Sequence, residues 1–203
     1  MFFQQNMLLP FWRENEIECG CDEAGRGCLA GPVVAAAVVL PKGYENENLN
    51  DSKKLSPKKR SQLETTIKSQ ALAWAVAEIS PEIIDKVNIL TASFMAMNKA
   101  VKELSIVPER LLIDGNMFRN ETNIPFECIV KGDAKYLSIA AASILAKTHR
   151  DRLMEKLHLE YPLYAWDRNK GYPTAKHCNA LALYGQTPYH RRSFTVKRQS
   201  TLF

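Results

Sequence analysis

Residues 17–40 read IECGCDEAGRGCLAGPVVAAAVVL. Two apolar runs, Ile17 to Cys21 and Val33 to Leu40, predict buried strands joined by a glycine-rich turn. Asp22 and Glu23 fall where the first strand meets that turn. Adjacent carboxylates at such a place repel each other unless a cation neutralises them. The pair therefore indicates a divalent metal, which prefers oxygen ligands.

The turn itself reads Gly25-Arg26-Gly27. Glycine on both sides of an arginine lets the main chain approach a ligand that a Cβ would keep away. Backbone suited to a polyanion, beside carboxylates suited to a metal, indicates phosphodiester chemistry.

Periodicity and turn residues predict the remaining elements. Ser56-Pro57 and Ser80-Pro81 are typical helix starts, with a capping serine before a proline at the first helical position. The predicted elements are helices at 57–69, from 81 through an apolar stripe ending at Leu104, at 138–158 and near 174–184, and strands at 71–79, 110–113 and 126–130. Their order predicts an α/β fold with a mixed sheet of five strands flanked by helices, followed by a turn-rich C-terminal helical and loop extension.

Two further acids follow predicted strands. Asp114 ends one strand in Asp114-Gly115-Asn116, and Asp133 follows another in Lys131-Gly132-Asp133. Strand ends at one edge of an α/β sheet are where such folds place their sites. Taken singly, each acid has an alternative interpretation as an N-cap or turn residue. Four acids on three strands favour a shared site.

Composition agrees with a globular protein that binds a polyanion. The 203 residues are 46% hydrophobic and 24% charged, with a net charge of +5. Two basic clusters suit a polyanion laid across the surface, although solvated loops and a frayed tail are an equal alternative for each. They comprise Lys53, Lys54, Lys58, Lys59 and Arg60, and Arg191, Arg192, Lys197 and Arg198. The histidines His149, His158 and His177 are interpreted as surface or partly buried residues.

Five cysteines without a Cys-x-x-Cys pair predict free thiols and a reducing compartment. The apolar N-terminus, residues 1–12, lacks an early positive charge and a cleavage site and is too short to span a membrane. We therefore expect a cytoplasmic protein without a membrane segment.

Eight blocks in order resemble bacterial ribonuclease HII, a member of the ribonuclease H superfamily, over nearly the whole chain. The blocks are residues 21–27 (CDEAGRG), 29–37 (LAGPVVAAA), 51–56 (DSKKLS), 113–115 (IDG), 131–133 (KGD), 141–147 (AASILAK), 169–172 (NKGY) and 187–194 (TPYHRRSF). The family usually has proline at the position of Cys28 and often valine at that of Ala24; both changes leave the acids and glycines intact.

The resemblance implies one ribonuclease H-like catalytic domain over 1–203, with a core at about 17–160, a substrate-binding extension at about 161–194 and a flexible basic tail at 195–203. It implies that the four acids bind two divalent ions, Mg²⁺ or Mn²⁺, with Asp22 bridging them. One ion would activate water and the other would stabilise the departing 3′ oxygen. The acids are Asp22, Glu23, Asp114 and Asp133.

The implied substrates are RNA–DNA hybrids and duplex DNA with embedded ribonucleotides, cut on the 5′ side of the ribonucleotide to leave 3′-hydroxyl and 5′-phosphate ends. Gly25, Arg26 and Gly27 would sense the 2′-hydroxyl, and Tyr172 would pack on the neighbouring sugar. Tyr172 has the alternative role of a loop aromatic that covers the core.

Three further residues are candidates for binding the substrate backbone. Ser143 and Lys147 lie four apart on one predicted helix, so they share a face that either reaches phosphate or is simply solvated. Lys53 is expected to contact phosphate and to give an affinity that falls with salt.

The chain ends on Gln199-Ser-Thr-Leu202-Phe203. This Gln-x-x-Leu-Phe pattern, with Gln199, Leu202 and Phe203, resembles the short peptide by which bacterial replication and repair proteins dock on the sliding clamp, and its two terminal apolar residues would be the anchors. Short motifs also arise by chance. Apart from this docking, the protein is expected to be a monomer.

Two kinds of alternative to ribonuclease HII remain: another enzyme of the superfamily, and a non-catalytic module that binds nucleic acid. Ribonuclease HIII carries an extra N-terminal domain, for which acids that begin at position 22 leave no room, and junction resolvases are not expected to combine the Gly-Arg-Gly turn with Lys170-Gly171-Tyr172. A non-catalytic module for nucleic-acid binding would not need the complete acid set.

Overall fold

The structure is a computed structural model that describes residues 8–49, 52 and 55–195. The apolar runs there form strands because they contain β-branched valine and isoleucine, are largely buried and are separated by turns. The strands are β1 (Glu18–Ala24), β2 (Val33–Val39), β3 (Ala73–Ile79), β4 (Arg110–Asp114) and β5 (Phe126–Ile129).

The five strands form one mixed sheet in the order β3-β2-β1-β4-β5. The first three strands pair antiparallel, with Asp22 opposite Ala36, while β4 and β5 run parallel to β1. The carboxyl ends of β1, β4 and β5 consequently lie at the same edge of the sheet. This edge is the one that the predicted acids follow.

Six α-helices accompany the sheet in the described part of the chain. Ser56, Ser80 and Thr174 cap three of them by accepting a hydrogen bond from a backbone N–H in the first turn. The helices are α1 (Pro57–Gln70), α2 (Pro81–Val87), α3 (Ile89–Lys102), α4 (Leu137–Glu160), α5 (Trp166–Asn169) and α6 (Ala175–Tyr184). Short 3₁₀ helices lie at Gly132–Ala134 and Pro162–Tyr164.

Helices cover both faces of the sheet. The side chains of Val33, Ala35 and Ala37 pack with α3, whereas those of Val34 and Ala36 pack with α1 and α4. All seven residues of β2 are buried for this reason. A continuous apolar run is typical of a strand that is covered on both sides.

Helix α4 lies very close to β1. A Cβ at Gly20 would lie 2.2 Å from the carbonyl carbon of Ser138, so only glycine allows this approach. The small residues Ala141 and Ala142 bury completely against the sheet. The alanine-rich face of the predicted helix therefore brings α4 beside the acid-bearing end of β1.

The helical stretch predicted from Pro81 is divided in two. Asn88 has a φ of 71°, which interrupts the helix, and its N–H donates to the carbonyl of Ile84 to end α2. Its side chain then accepts from the N–H of Thr91 and caps α3. With its ψ of 164°, Asn88 has a backbone conformation that residues other than glycine rarely adopt. The expectation of one continuous helix here is wrong.

The predicted fold class, a mixed sheet of five strands flanked by helices, is confirmed. After α4, Tyr164, Trp166 and Ala180 pack on Ala30 and Met154 in a separate apolar cluster. The proposed division into core, extension and tail stays a prediction. None of the described helices is long and apolar enough to cross a membrane.

Candidate active site

The structure gathers the predicted acids at the carboxyl-terminal edge of the parallel strands. Asp22 and Glu23 lie just before the last residue of β1, and Asp114 is the final residue of β4. Cys21 pairs with Ile113, so the residues that follow them lie level on adjacent strands. Asp133 lies in the 3₁₀ helix just after β5.

Asp22 is buried, and its surroundings disfavour the charged carboxylate. It is 5% exposed, and burial raises the pKa of its carboxyl well above the usual range, with further increases from the charges of Glu23 and Asp114. Hydrogen bonds from Ser143 and from the N–H of Glu23, at 2.7 Å, act in the opposite direction. A buried carboxylate between two others is a strong candidate for a cation ligand.

Glu23 and Asp114 are directed at protein partners. Arg26 forms an ion pair with Glu23, with 3.1 Å between Nη1 and Oε1. The N–H of Gly132 donates to Asp114 Oδ1 at 2.7 Å. This second bond ties the end of β4 to the turn that carries Asp133, which is itself 5% exposed. The four acids are thus linked through neighbouring backbone.

The acids fit a hard divalent cation in their chemistry, since all four donors are carboxylates and Mg²⁺ and Mn²⁺ prefer oxygen. Within the described residues, however, no three Asp, Glu, His or Cys side chains are arranged closely enough to hold a metal. A cation bound beside Asp22 would compete with Arg26 for the carboxylate of Glu23.

A cavity of about 190 Å³ opens beside the acids, between α3 and the loop that follows β4. Glu23, Arg26 and Asp114 contribute its polar wall, and Phe94 and Met117 contribute apolar surface. The acid edge is therefore accessible from the α3 side of the sheet.

The two glycines of the turn have different surroundings. Gly25 has a φ of 97°, and a Cβ there would lie 2.1 Å from Nε of Arg150. Gly27 has no neighbour within 4 Å of that position. Close approach of a ligand is therefore open at Gly27, while Gly25 is needed for the turn conformation and for packing.

Three other predicted substrate residues, Tyr172, Lys147 and Ser143, lie near this turn or near Asp22. Tyr172 is 40% exposed, and Nζ of Lys147 lies 5.9 Å from the centre of its ring. Lys147 also pairs with Asp151 at 2.6 Å. Ser143 is 4% exposed and lies 2.9 Å from Oγ of Ser52, in addition to its bond to Asp22. Its contacts are those of a residue that orients Asp22.

Several candidates lie outside the described residues. They are Lys53 and Lys54 of the first basic cluster, Lys197 and Arg198 of the second, and Gln199, Leu202 and Phe203 of the tail.

The interpretation of two arginines as exposed basic residues is wrong. Arg60 is 8% exposed and pairs with Asp151 at 3.1 Å. Arg191 is 1% exposed and donates to main-chain carbonyls of the turn at Gly25 and Arg26. Arg150, which the sequence did not single out, is likewise 1% exposed. A run of basic residues in the sequence does not indicate that one of their side chains is buried.

A buried histidine pair supports the loop that carries Tyr172. His177, expected at or near the surface, is fully buried, and its Nδ1 lies 3.0 Å from the carbonyl of Tyr172. The N–H of Thr187 donates to Nδ1 of His190, so Nε2 of His190 carries the proton and donates to Nε2 of His177 at 3.1 Å. Trp166 donates to that same nitrogen. Both rings are therefore held neutral.

This pair predicts a loss of stability in acid. Burial and the neighbouring His177 lower the pKa of His190 to about 4, below the value near 6.5 expected in the unfolded chain. Because His190 binds the proton less well in the folded protein, its contribution to the free energy of unfolding is complete above pH 6.5 and is lost as the pH falls toward 4. It amounts to about 3 kcal/mol. We expect His190→Gln, which cannot titrate, to lose less stability than the wild type between pH 6.5 and 4.

Urea unfolding at several pH values measures this difference. Carboxylates also titrate in this range, so the comparison is between the two slopes and not between absolute stabilities. Parallel loss of stability in both proteins would show that the histidine pair does not carry the effect.

Comparison with solved structures defines the class of protein. The chain is similar to RNase HII in its PCNA complex from Archaeoglobus fulgidus, with a TM-score of 0.75, 26% identity and coverage of 91% of this chain and 98% of that one. It shares its fold with Bst-RNase HIII in complex with Mn²⁺, with a TM-score of 0.64, 20% identity and coverage of 89% and 71%. The fold with its edge of acids is therefore that of a ribonuclease H-like protein.

Sequence comparison identifies the family within this class. The ribonuclease HII family model matches residues 19–197. Ribonuclease HII of Bacteroides thetaiotaomicron is 60% identical over 190 residues, which span 94% of this chain and 95% of that protein. The chain belongs to the ribonuclease HII family, as the resemblance predicted, and is a ribonuclease H enzyme.

Proposed function

We propose that this ribonuclease H hydrolyses the RNA strand of RNA–DNA hybrids and also cuts duplex DNA on the 5′ side of an embedded ribonucleotide, leaving 3′-hydroxyl and 5′-phosphate ends. The observation that carries the proposal is the position of Asp22, buried between Glu23 and Asp114 at one edge of the sheet. The turn at 25–27 follows directly on β1, so cutting and sugar recognition would share one segment.

The acids Asp22, Glu23, Asp114 and Asp133 would hold two divalent ions, Mg²⁺ or Mn²⁺. When bound, such ions lower the pKa of a water molecule and stabilise charge on the attacking and leaving oxygens of a phosphodiester. The raised pKa of Asp22 supports this assignment, because a buried carboxylate in unfavourable surroundings is stabilised by a nearby cation. The Mn²⁺ complex of the structurally similar Bst-RNase HIII also supports it.

Sensing of the 2′-hydroxyl is assigned to the turn Gly25-Arg26-Gly27. A trans peptide group directs its C=O and the following N–H in opposite directions. The carbonyls of Gly25 and Arg26 accept from Arg191, so the N–H groups of Arg26 and Gly27 point away from that side chain. They are available on the open side of the turn, where a ribose oxygen could accept from them.

Tyr172 is assigned to the sugar next to the ribonucleotide. Its ring is part-exposed, and its backbone is held by the carbonyl contact with His177 and by a 2.8 Å bond from its N–H to the carbonyl of Asn169. Burial raises the pKa of its hydroxyl, which lies close enough to the thiol of Cys28, the residue after the turn, for this pKa to be raised further. A fixed ring beside the turn suits contact with one sugar step. Lys147, below the ring, is assigned to phosphate together with Lys53.

Docking on a sliding clamp through Gln199, Leu202 and Phe203 stays a prediction that no described residue tests. The PCNA complex of the Archaeoglobus protein is support for it, since that relative is bound to PCNA. The expected cytoplasmic location and monomeric state also stay predictions.

Cleavage of two substrates tests the proposed function. One is duplex DNA with a single ribonucleotide, and the other is a long RNA–DNA hybrid, each in Mg²⁺, Mn²⁺ or EDTA. We expect the wild type to cut the first on the 5′ side of the ribonucleotide with either metal and not in EDTA. Tyr172→Ala should lose about tenfold more kcat/KM on the single ribonucleotide than on the hybrid, because one stacking contact contributes about 1–3 kcal/mol.

Tyr184→Ala is the matched control, since Tyr184 is an exposed tyrosine on α6. This variant should cut both substrates like the wild type. Equal losses on both substrates in Tyr172→Ala would assign the ring to packing alone, and a wild type that leaves the single ribonucleotide uncut would contradict the proposed function.

A further inference from the structure

Two buried guanidinium groups lie beneath the turn at 25–27. Arg150, on α4, and Arg191, near the end of the described chain, are each 1% exposed. Every hydrogen bond that the structure gives their side chains goes to a main-chain carbonyl. Arg150 donates to Pro32 at 3.0 Å, Lys170 at 2.7 Å and Ala30 at 3.0 Å, and Arg191 donates to Gly31 at 3.0 Å, Arg26 at 2.9 Å and Gly25 at 2.7 Å.

These charges are held without a carboxylate partner in the described part of the chain, where neither guanidinium takes part in an ion pair. Burying an unpaired charge is costly, and carbonyl dipoles only partly offset the lost hydration. Burial lowers the pKa of Arg191 to about 10, which still leaves it positive at neutral pH. Stability alone gives no reason to keep two such charges side by side.

The carbonyls that they bind belong to the two segments assigned to sugar recognition. Arg191 donates to the carbonyls of Gly25 and Arg26 in the turn. Arg150 donates both to the segment that leads into β2 and to the carbonyl of Lys170, two residues before Tyr172. The N–H of Leu29 also donates to the carbonyl of Gly171 at 2.8 Å. The distance between the turn and Tyr172 is thus set by a shared layer of main chain and guanidinium groups.

Glycines make room for this layer. A Cβ at Gly25 would meet Nε of Arg150 at 2.1 Å, and one at Gly31 would lie 3.3 Å from Nη2 of the same residue and 2.3 Å from Sδ of Met154. Both glycines have positive φ angles. The glycine pattern of this segment is therefore partly a requirement of Arg150, on a helix more than a hundred residues later in the chain.

We infer that Arg150 and Arg191 are positioning residues for ribonucleotide recognition: they fix the turn at 25–27 relative to Tyr172 and direct the N–H groups of Arg26 and Gly27 outward. This inference rests on the proposed function of the turn. The buried positive charge also polarises the peptide groups whose carbonyls it binds, which makes their N–H groups better donors to a sugar or phosphate oxygen.

The guanidinium shape is essential to this role. Its five N–H donors lie in one plane and reach three carbonyls at once, whereas the ammonium of lysine is a single point on a flexible stem. Lysine at either position would keep the charge and lose the simultaneous contacts.

The test measures kcat and KM of Arg150→Lys and Arg191→Lys on the single-ribonucleotide duplex and on the long hybrid, each below the melting temperature of the variant. We expect the ratio of kcat/KM values, single ribonucleotide over hybrid, to fall at least tenfold, since a long hybrid offers many registers and tolerates a displaced turn. Arg152→Lys is the matched control on the same helix, because Arg152 pairs with Glu64 instead of the turn. Its ratio should equal that of the wild type.

An unchanged ratio in both lysine variants, with a lowered melting temperature, would overturn the inference and leave the arginines as packing residues. If Tyr172→Ala shifts the ratio in the same assay, the proposed function stands while the inference fails. If a lysine variant does not fold, Arg191→Gln, which keeps an amide donor without the charge, decides by the same ratio.

Discussion

Replacing Asp22 with asparagine is expected to lower turnover on an RNA–DNA hybrid by about a thousandfold or more while the protein stays folded. Loss of a carboxylate that organises the ions removes several kcal/mol of charge stabilisation, and about 4 kcal/mol corresponds to a factor of a thousand. Substrate binding should largely survive, because the turn and the basic residues are unchanged. The loss should therefore appear in kcat.

The same substitution should stabilise the metal-free protein. The pKa of Asp22 is higher in the folded than in the unfolded state, so its contribution to stability is present below the unfolded value near 3.9 and is lost as the pH rises through the folded value. At pH 8 the buried carboxyl of Asp22 therefore lowers the stability of the folded protein, and asparagine removes this effect. We expect Asp22→Asn to melt at a higher temperature than the wild type in EDTA.

Single-turnover cleavage and thermal unfolding, both with and without Mg²⁺, measure the two effects. Glu64→Gln is the control for stability, since Arg152 and Lys68 lower the pKa of Glu64 in spite of its burial. That variant should lose stability and keep its turnover. Near-normal cleavage by Asp22→Asn in Mg²⁺ would remove Asp22 from the catalytic set.

The strands and the acid edge were predictable because their signals are local. Apolar runs give the strands, and Asp22 and Asp114 stand where those runs end. The division of the predicted helix at Asn88 was missed, because the positive φ of this single residue changes the direction of the chain. The apolar pattern beyond it is helical and gives no sign of the interruption. Periodicity reports which side chains are apolar and does not report a single backbone angle.

Residues that act through long-range contacts were not predictable from the amino-acid sequence. Ser143 and Lys147 share a helix face, but only the packing of α4 on β1 shows that Ser143 reaches Asp22. Arg191 stands among basic residues and yet is directed inward to carbonyls 160 or more positions earlier. Charge patterns locate basic segments and do not reveal which member is buried.

Replacing each of the two glycines that flank Arg26 with alanine should affect the free energy of unfolding differently. Gly25→Ala places a Cβ at a φ of 97° and 2.1 Å from Nε of Arg150, so the turn and the guanidinium must both move. Backbone strain and overpacking of this kind each contribute about 1–3 kcal/mol. We expect a loss of about 3 kcal/mol in the free energy of unfolding, a fall of roughly 6–12 °C in melting temperature, and lower activity on both substrates.

Gly27→Ala is the matched variant that separates structure from recognition. Gly27 has no neighbour within 4 Å of a new Cβ and is not among the glycines with positive φ, so the free energy of unfolding should change by less than about 0.5 kcal/mol. The added methyl group would nevertheless stand on the open side of the turn, where the ribose is proposed to approach. Cleavage of the single ribonucleotide should then fall while the melting temperature holds. Full activity in Gly27→Ala would mean that the sugar is read elsewhere, and it would leave Gly25 as a glycine required only by Arg150.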